Sequence, residues 1–232
     1  MNNPKMLVAC EALIREILPD FNRPVYLVDA ESLVDKRLVA GDRWIAWTST
    51  ILDLLLREEL GRQQRWHGRG FCALVRLDRI PIGFRNVAGT VLHELAHFFD
   101  ALRFPESETE LDRPVGEPTE ERKAAIDLMV DTIGHALQGG DKTKREDPLP
   151  RWHGHGIAYV RCACHLAYRA NRVFESIHPS TLKFVSPYHF GASETAAMES
   201  IADELDPDRP LLDILRSELP DSLVTYWMRI TD

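Results

Sequence analysis

The sequence predicts an α+β domain, predominantly helical, with a small sheet in its N-terminal part and a helical C-terminal extension. Three observations carry this. Segments with apolar residues at helical spacing make up most of the chain. Runs rich in β-formers and bounded by turn residues are confined to the first eighty or so positions. No segment is long enough to act as a domain linker in the 232 residues. One domain over 1–232 is expected, with a core over about 20–175 and the extension over about 176–232.

The elements follow in order. Lys5 to Leu18 is apolar-periodic and stops at Pro19, which predicts a helix. Pro24 to Asp29 reads as a strand, and Arg43 to Thr48, with Trp44, Ile45 and Trp47, as a second short one. A helix from Ile51 to Arg65 would turn Leu52, Leu55, Leu56 and Leu60 inward. After the glycines Gly68 and Gly70, Phe71 to Leu77 reads as a strand, expected at the sheet edge. Asn86 is a candidate N-cap for a helix running to about Arg103. Phe104 to Pro118 is acidic and contains proline, so it reads as a surface loop. A helix is expected from about Thr119 to Leu137, a flexible segment from Gln138 to Pro150, and a helix from about Ile157 to Phe174. Three further apolar stretches, Ser193 to Leu205, Pro210 to Leu219 and Leu223 to Ile230, form the extension.

Composition narrows the function. The chain is 44% hydrophobic and 28% charged, which suits a soluble globular protein with a sizeable core. A net charge of −8 opposes binding nucleic acid through a general basic surface. No apolar run approaches the roughly 20 residues of a membrane span. Glu11, Arg15 and Glu16 break the apolar residues near the start, so it reads as an amphipathic helix and not as a signal peptide. Cys10, Cys72, Cys162 and Cys164 suggest neither a disulfide framework nor a zinc ribbon. A cytoplasmic protein is expected, with no nucleic-acid or membrane partner; nothing in the sequence marks an oligomer seam.

The chemistry centres on Val91 to Asp100, which contains His93-Glu94-Leu95-Ala96-His97. On a helix, positions i and i+4 put both imidazoles on one face, where neutral rings can occupy two corners of a zinc tetrahedron. Glu94 beside the first ring can take a proton from a metal-activated water. Val91, Leu95, Phe98 and Leu102 form an ordinary core stripe on another face. Catalytic zinc commonly has three protein ligands. Asp100 stands where a metzincin would carry glycine, so the third donor must come from elsewhere. His155 heads a predicted helix, and His153 lies two residues before it.

His93-Glu94-Leu95-Ala96-His97 after a strand, followed by His155, Gly156, Tyr159 and Arg161 in an H-G-x-x-aromatic-x-R pattern, resembles the SprT-like (Spartan-type) zinc metallopeptidases. The resemblance spans about residues 70 to 165. It implies a zincin-like fold, a Zn2+ ion held by His93, His97 and His155, Glu94 as general base, and peptide-bond hydrolysis of a protein or peptide substrate. It does not extend to a C-terminal cysteine ribbon, and the acidic balance gives no reason to carry over DNA-bound substrates. Glu120 and Glu121 are somewhat like the downstream glutamate of the ImmA/IrrE-type metallopeptidases, and Asp127 and Asp131 could also serve. All four equally suit a solvated helix face near its N-terminus.

Other residues have plainer readings. Asp100 could hold a ligand histidine through its second ring nitrogen or pair with Arg103. Tyr188 and His189 could face an oxyanion but suit loop packing better. His165 reads as a core histidine, and Cys162 and Cys164 as small buried residues. The expected activity is therefore zinc-dependent peptide hydrolysis. The alternatives are a non-catalytic, zinc-stabilised interaction module and a helical interaction protein without metal.

Overall fold

A computed structural model describes residues 3–33, 46–47, 56–57, 59–63, 65, 67, 70–81, 83–104, 124, 156–174 and 193–231. The expected loop beyond Phe104, the helix over 119–137 apart from helical Ala124, the segment 138–150 and residues 152–155 lie outside these.

Helix α1, Asn3–Ile17, buries Met6, Leu7, Cys10, Leu13, Ile14 and Ile17, a stripe at helical spacing. Strands β1, Val25–Asp29, β2, Ala46–Trp47, and β3, Phe71–Val75, follow. Among the described residues they form a sheet in the order β1-β3-β2. β1 and β3 run parallel, from Val25 opposite Phe71 to Asp29 opposite Val75. β2 lies antiparallel, with Ala46 opposite Val75. The expectation that Phe71 to Leu77 forms an edge strand is therefore corrected: β3 is central. All five of its residues are buried, as the unbroken run Phe-Cys-Ala-Leu-Val suits a strand covered on both faces.

Gly70 sets the start of that strand. Its φ is +121°, and a Cβ there would meet the Pro24 carbonyl oxygen at 2.3 Å. The close approach lets the Phe71 N–H donate to that oxygen at 3.0 Å, which fixes the β1–β3 register. At the outer edge of β1, Glu11 accepts from the Leu27 N–H at 2.8 Å, while Arg65 donates to Glu11 at 2.7 Å and to the Leu27 carbonyl at 3.4 Å. Charged side chains thus satisfy an edge that would otherwise be open to pairing. Burial pushes the Glu11 carboxyl upward, opposed by the Leu27 N–H and by Arg65. Of the residues expected to face inward from the next helix, Leu56 and Leu60 are fully buried, while Leu52 and Leu55 lie outside the described residues.

Helix α2, Phe84–Leu102, carries the histidine motif. Its N-cap is Gly83, at φ +146°, and not Asn86. Asn86 lies inside the first turn and donates instead to the Pro81 carbonyl at 3.0 Å. The predicted stripe of Val91, Leu95, Phe98 and Leu102 is buried, and so are Leu92, Ala96 and Phe99. Phe98 stacks on Phe71 of β3 with centroids 3.8 Å apart, and Phe99 meets Phe21 edge-on at 4.9 Å. These contacts pin the back of α2 to the sheet and to the turn after α1.

Helix α3, Ile157–Val173, packs along α2 and α1. The tail forms α4, Ser193–Ser200, α5, Leu211–Arg216, and α6, Asp221–Thr231. Buried Arg169 of α3 reaches the Ile17 carbonyl at the end of α1 and the carbonyls of Asp206 and Arg209, so one guanidinium ties the first helix to the tail. Residues of α1, the sheet, α2, α3 and the tail share one buried apolar cluster. Among the described residues no helix is long and apolar enough to cross a membrane.

Candidate metal centre

Along α2 the fully buried residues alternate with a narrow half-buried face. Within 91–100 only His93, His97 and Asp100 are half-buried, at i, i+4 and i+7. Packing on the sheet, α1 and α3 covers the rest of the helix and leaves this strip as its polar corner. There the two ring nitrogens converge: His93 Nε2 and His97 Nε2 are 3.2 Å apart. The rings meet nearly edge to face, with centroids 4.8 Å apart.

That separation bears on metal binding. Two nitrogen donors on a tetrahedral zinc at 2.0–2.1 Å stand roughly 3.3–3.4 Å apart. The pair therefore fits two corners of such a site with little adjustment. The same spacing suits an N–H···N hydrogen bond when one ring carries its proton on Nε2. The tautomer decides which of the two the pair makes.

Glu94, almost fully buried, brings Oε1 to 4.0 Å from His93 Nε2. A carboxylate at that distance stands next to the donor atoms, near enough to serve a water bound beside them. Tyr159, on the first turn of α3, closes the arrangement from the other side. Its hydroxyl oxygen is 2.5 Å from His93 Nδ1, and its ring lies against His97 with centroids 4.4 Å apart and planes 34° from parallel. Burial, with Glu94 adding to it, raises the Tyr159 phenol well above its ordinary range, so it stays protonated.

Not every residue singled out in the sequence joins this centre. Asp100 pairs with Arg103, Oδ1 to Nε at 2.9 Å, so of its two readings the ion pair is the one formed. Burial pushes its carboxyl upward and Arg103 partly offsets that. Arg161, part of the pattern behind the resemblance, turns to the tail. It forms a two-point ion pair with Glu204 and donates to the Ser217 and Glu218 carbonyls at 3.0 and 3.1 Å. His165 is fully buried, as a core histidine should be, with Nε2 3.4 Å from the same carboxylate, though its buried Nδ1 has no hydrogen-bond partner. Cys162 and Cys164 are buried free thiols, as expected.

His155, His153, Glu120, Glu121, Asp127, Asp131, Tyr188 and His189 fall outside the described residues. Among the described residues, no set of three His, Cys, Asp or Glu side chains is grouped to hold a metal. Sequence reasoning named Tyr159 only as an aromatic in the pattern. Its hydrogen bond to a residue 66 positions earlier depends on how α3 packs against α2. Glu204 left no sequence signal as the partner of Arg161.

Comparison with known protein families, with curated proteins and with solved structures finds no match to this chain.

Proposed function

We propose that the chain is a zincin-like, zinc-dependent metallopeptidase, similar to the SprT-like enzymes, which hydrolyses peptide bonds in protein or peptide substrates. One observation supports this above all: the Nε2 atoms of His93 and His97 meet at 3.2 Å with the Glu94 carboxylate 4.0 Å from the first. A buried carboxylate beside two converging imidazoles is what metal-assisted hydrolysis requires, and a purely structural site has no need of it.

His93 and His97 are the first two ligands in this reading. His155, which directly precedes Gly156 and stands four residues before Tyr159, is the proposed third, with His153 and Glu121 as its rivals. A zinc ion bound there supplies Lewis-acid polarisation of a carbonyl and lowers the pKa of water towards about 7. Glu94 acts on the proton. Its carboxylate accepts a proton from the attacking water and delivers it to the amide nitrogen as the C–N bond breaks. The water oxygen ends in the new carboxyl group and the proton on the departing amine. The acidic balance of the chain leaves nucleic acid outside the proposed partners.

The test is Glu94→Gln, which keeps size and polarity but cannot accept the proton. The zinc content should stay at the wild-type level while cleavage of an unfolded protein substrate falls about 10²–10⁴-fold. Cleavage at the wild-type rate would remove Glu94 from the mechanism. A zinc-replete wild type that cleaves nothing, and whose metal exchanges no ligand, would turn the reading to a non-catalytic module.

A further inference from the structure

We infer that Tyr159 is a positioning residue whose hydroxyl anchors the His93 ring at Nδ1 and so holds its Nε2 toward His97, where a metal would bind. This rests on the zinc reading of the site given above. The geometry that carries it is the 2.5 Å separation of the Tyr159 oxygen from His93 Nδ1 together with the 3.2 Å separation of the two Nε2 atoms.

A neutral imidazole carries one N–H. With that proton on Nδ1, the ring donates to the tyrosine oxygen, and Nε2 presents its lone pair beside that of His97. With the proton on Nε2, the tyrosine O–H donates to Nδ1 and the His93 Nε2–H can donate to His97 Nε2. One proton position separates a pair of histidines bonded to each other from a pair of donors facing a common point. A carboxylate at the Tyr159 position would favour only the first state, because it can only accept. A hydroxyl both donates and accepts, so it satisfies Nδ1 in either state, and the site stays fully bonded with and without metal. The tyrosine ring, 5.4 Å from His93 and 4.4 Å from His97 between centroids, also limits rotation of both imidazoles. This is the role that outer hydrogen-bond partners play for metal-binding histidines, here filled from α3.

Tyr159→Phe tests it, because the ring remains in contact with His97 and only the oxygen is lost. Zinc affinity is measured by competition with a chromophoric chelator, and the hydrogen bonding of His93 Nδ1 by ¹⁵N NMR of the metal-free protein. The expected result is affinity lowered about 10–100-fold, with the His93 Nδ1 signal moved in the variant. Cys162→Ala, a buried change one turn along α3, controls for loosening of the helix and should leave affinity unchanged. Wild-type zinc binding with Tyr159→Phe within twofold of it would overturn the inference and leave the peptidase reading intact. A wild type that binds no zinc would remove the peptidase reading, and the ¹⁵N spectra would still decide the contact. A His93 Nδ1 signal moved in Tyr159→Phe then supports positioning, and indistinguishable spectra refute it.

Discussion

Two clusters flank one helix, α3, and each brings a histidine near a glutamate, but in different geometry. At one side of α3, Tyr159 faces His93, His97 and Glu94; at another, Arg161 and His165 face Glu204. In the second cluster the carboxylate is matched by a guanidinium buried to 1% exposure, which also binds two tail carbonyls. Burial pushes the Glu204 carboxyl upward, but the hydrogen bonds and charge of Arg161 outweigh it and hold the group below its ordinary range. His165 is lowered too, to about 4, here by burial that its neighbour Glu204 only partly offsets, with Arg169 and Arg161 adding to the fall. That cluster is a clasp: its charges are consumed in fastening the tail to α3. In the first, the close partner of His93 Nε2 is a second imidazole at 3.2 Å, with the carboxylate at 4.0 Å. The contrast lies in which partner is near: a guanidinium holds Glu204, while beside Glu94 two imidazole nitrogens converge.

The comparison can be broken at either cluster. Arg161→Met should have the largest effect, about 3 kcal/mol lost in denaturant unfolding, because it leaves a half-buried carboxylate and two carbonyls without their buried guanidinium. Zinc content per folded chain should be unchanged, and loss of zinc at full folding would mean that the clasp belongs to the metal centre.

Acid should act through His165. Its folded pKa lies below the unfolded value, so between about 6.5 and about 4 the unfolded chain binds the extra proton and stability falls as pH falls. The size is on the order of 3 kcal/mol across that window, and stability above it is unaffected by this group. Glu204 has the same sign at lower pH: its contribution is present above the unfolded carboxylate value and lost on descending through its depressed folded one. Denaturant titrations across pH on wild type and His165→Leu should show the slope in the first and a flatter line in the second. Equal slopes would remove His165 as its source.

Asp100→Asn should do least. The Asp100–Arg103 pair is about a third exposed on both sides, at 29% and 37%, and such pairs contribute about 0–1 kcal/mol. Zinc affinity should change less than about threefold, since the structure gives Asp100 to Arg103 and not to a histidine ring. A tenfold loss, the lower end for an outer-shell partner, would return Asp100 to the metal centre.

What the sequence revealed follows from which forces are local. The α2 helix was legible because its apolar residues repeat at helical spacing, and the same spacing places His93, Glu94 and His97 without further information. β1, β3 and the tail helices were legible for similar reasons. The central place of β3 was less so, because strand order depends on which segments pair and not on the strand itself. The Gly83 cap was missed because Asn86 has the better capping chemistry, yet its side chain finds the Pro81 carbonyl. Glu11 reads as the polar side of an amphipathic helix, but it spans to Leu27 and Arg65, 16 and 54 residues away. Arg161 and Tyr159 sit two positions apart in one pattern, yet helix geometry sends them to different clusters.

The most direct measurement is zinc content by mass spectrometry after loading and dialysis, for wild type, His97→Ala and His155→Ala. The account predicts one zinc per wild-type chain and loss in both variants. Zinc kept in His155→Ala alone would move the third ligand to His153 or Glu121. A wild type without zinc, or zinc kept in His97→Ala, would contradict the central claim that the converging imidazoles of α2 form a metal centre.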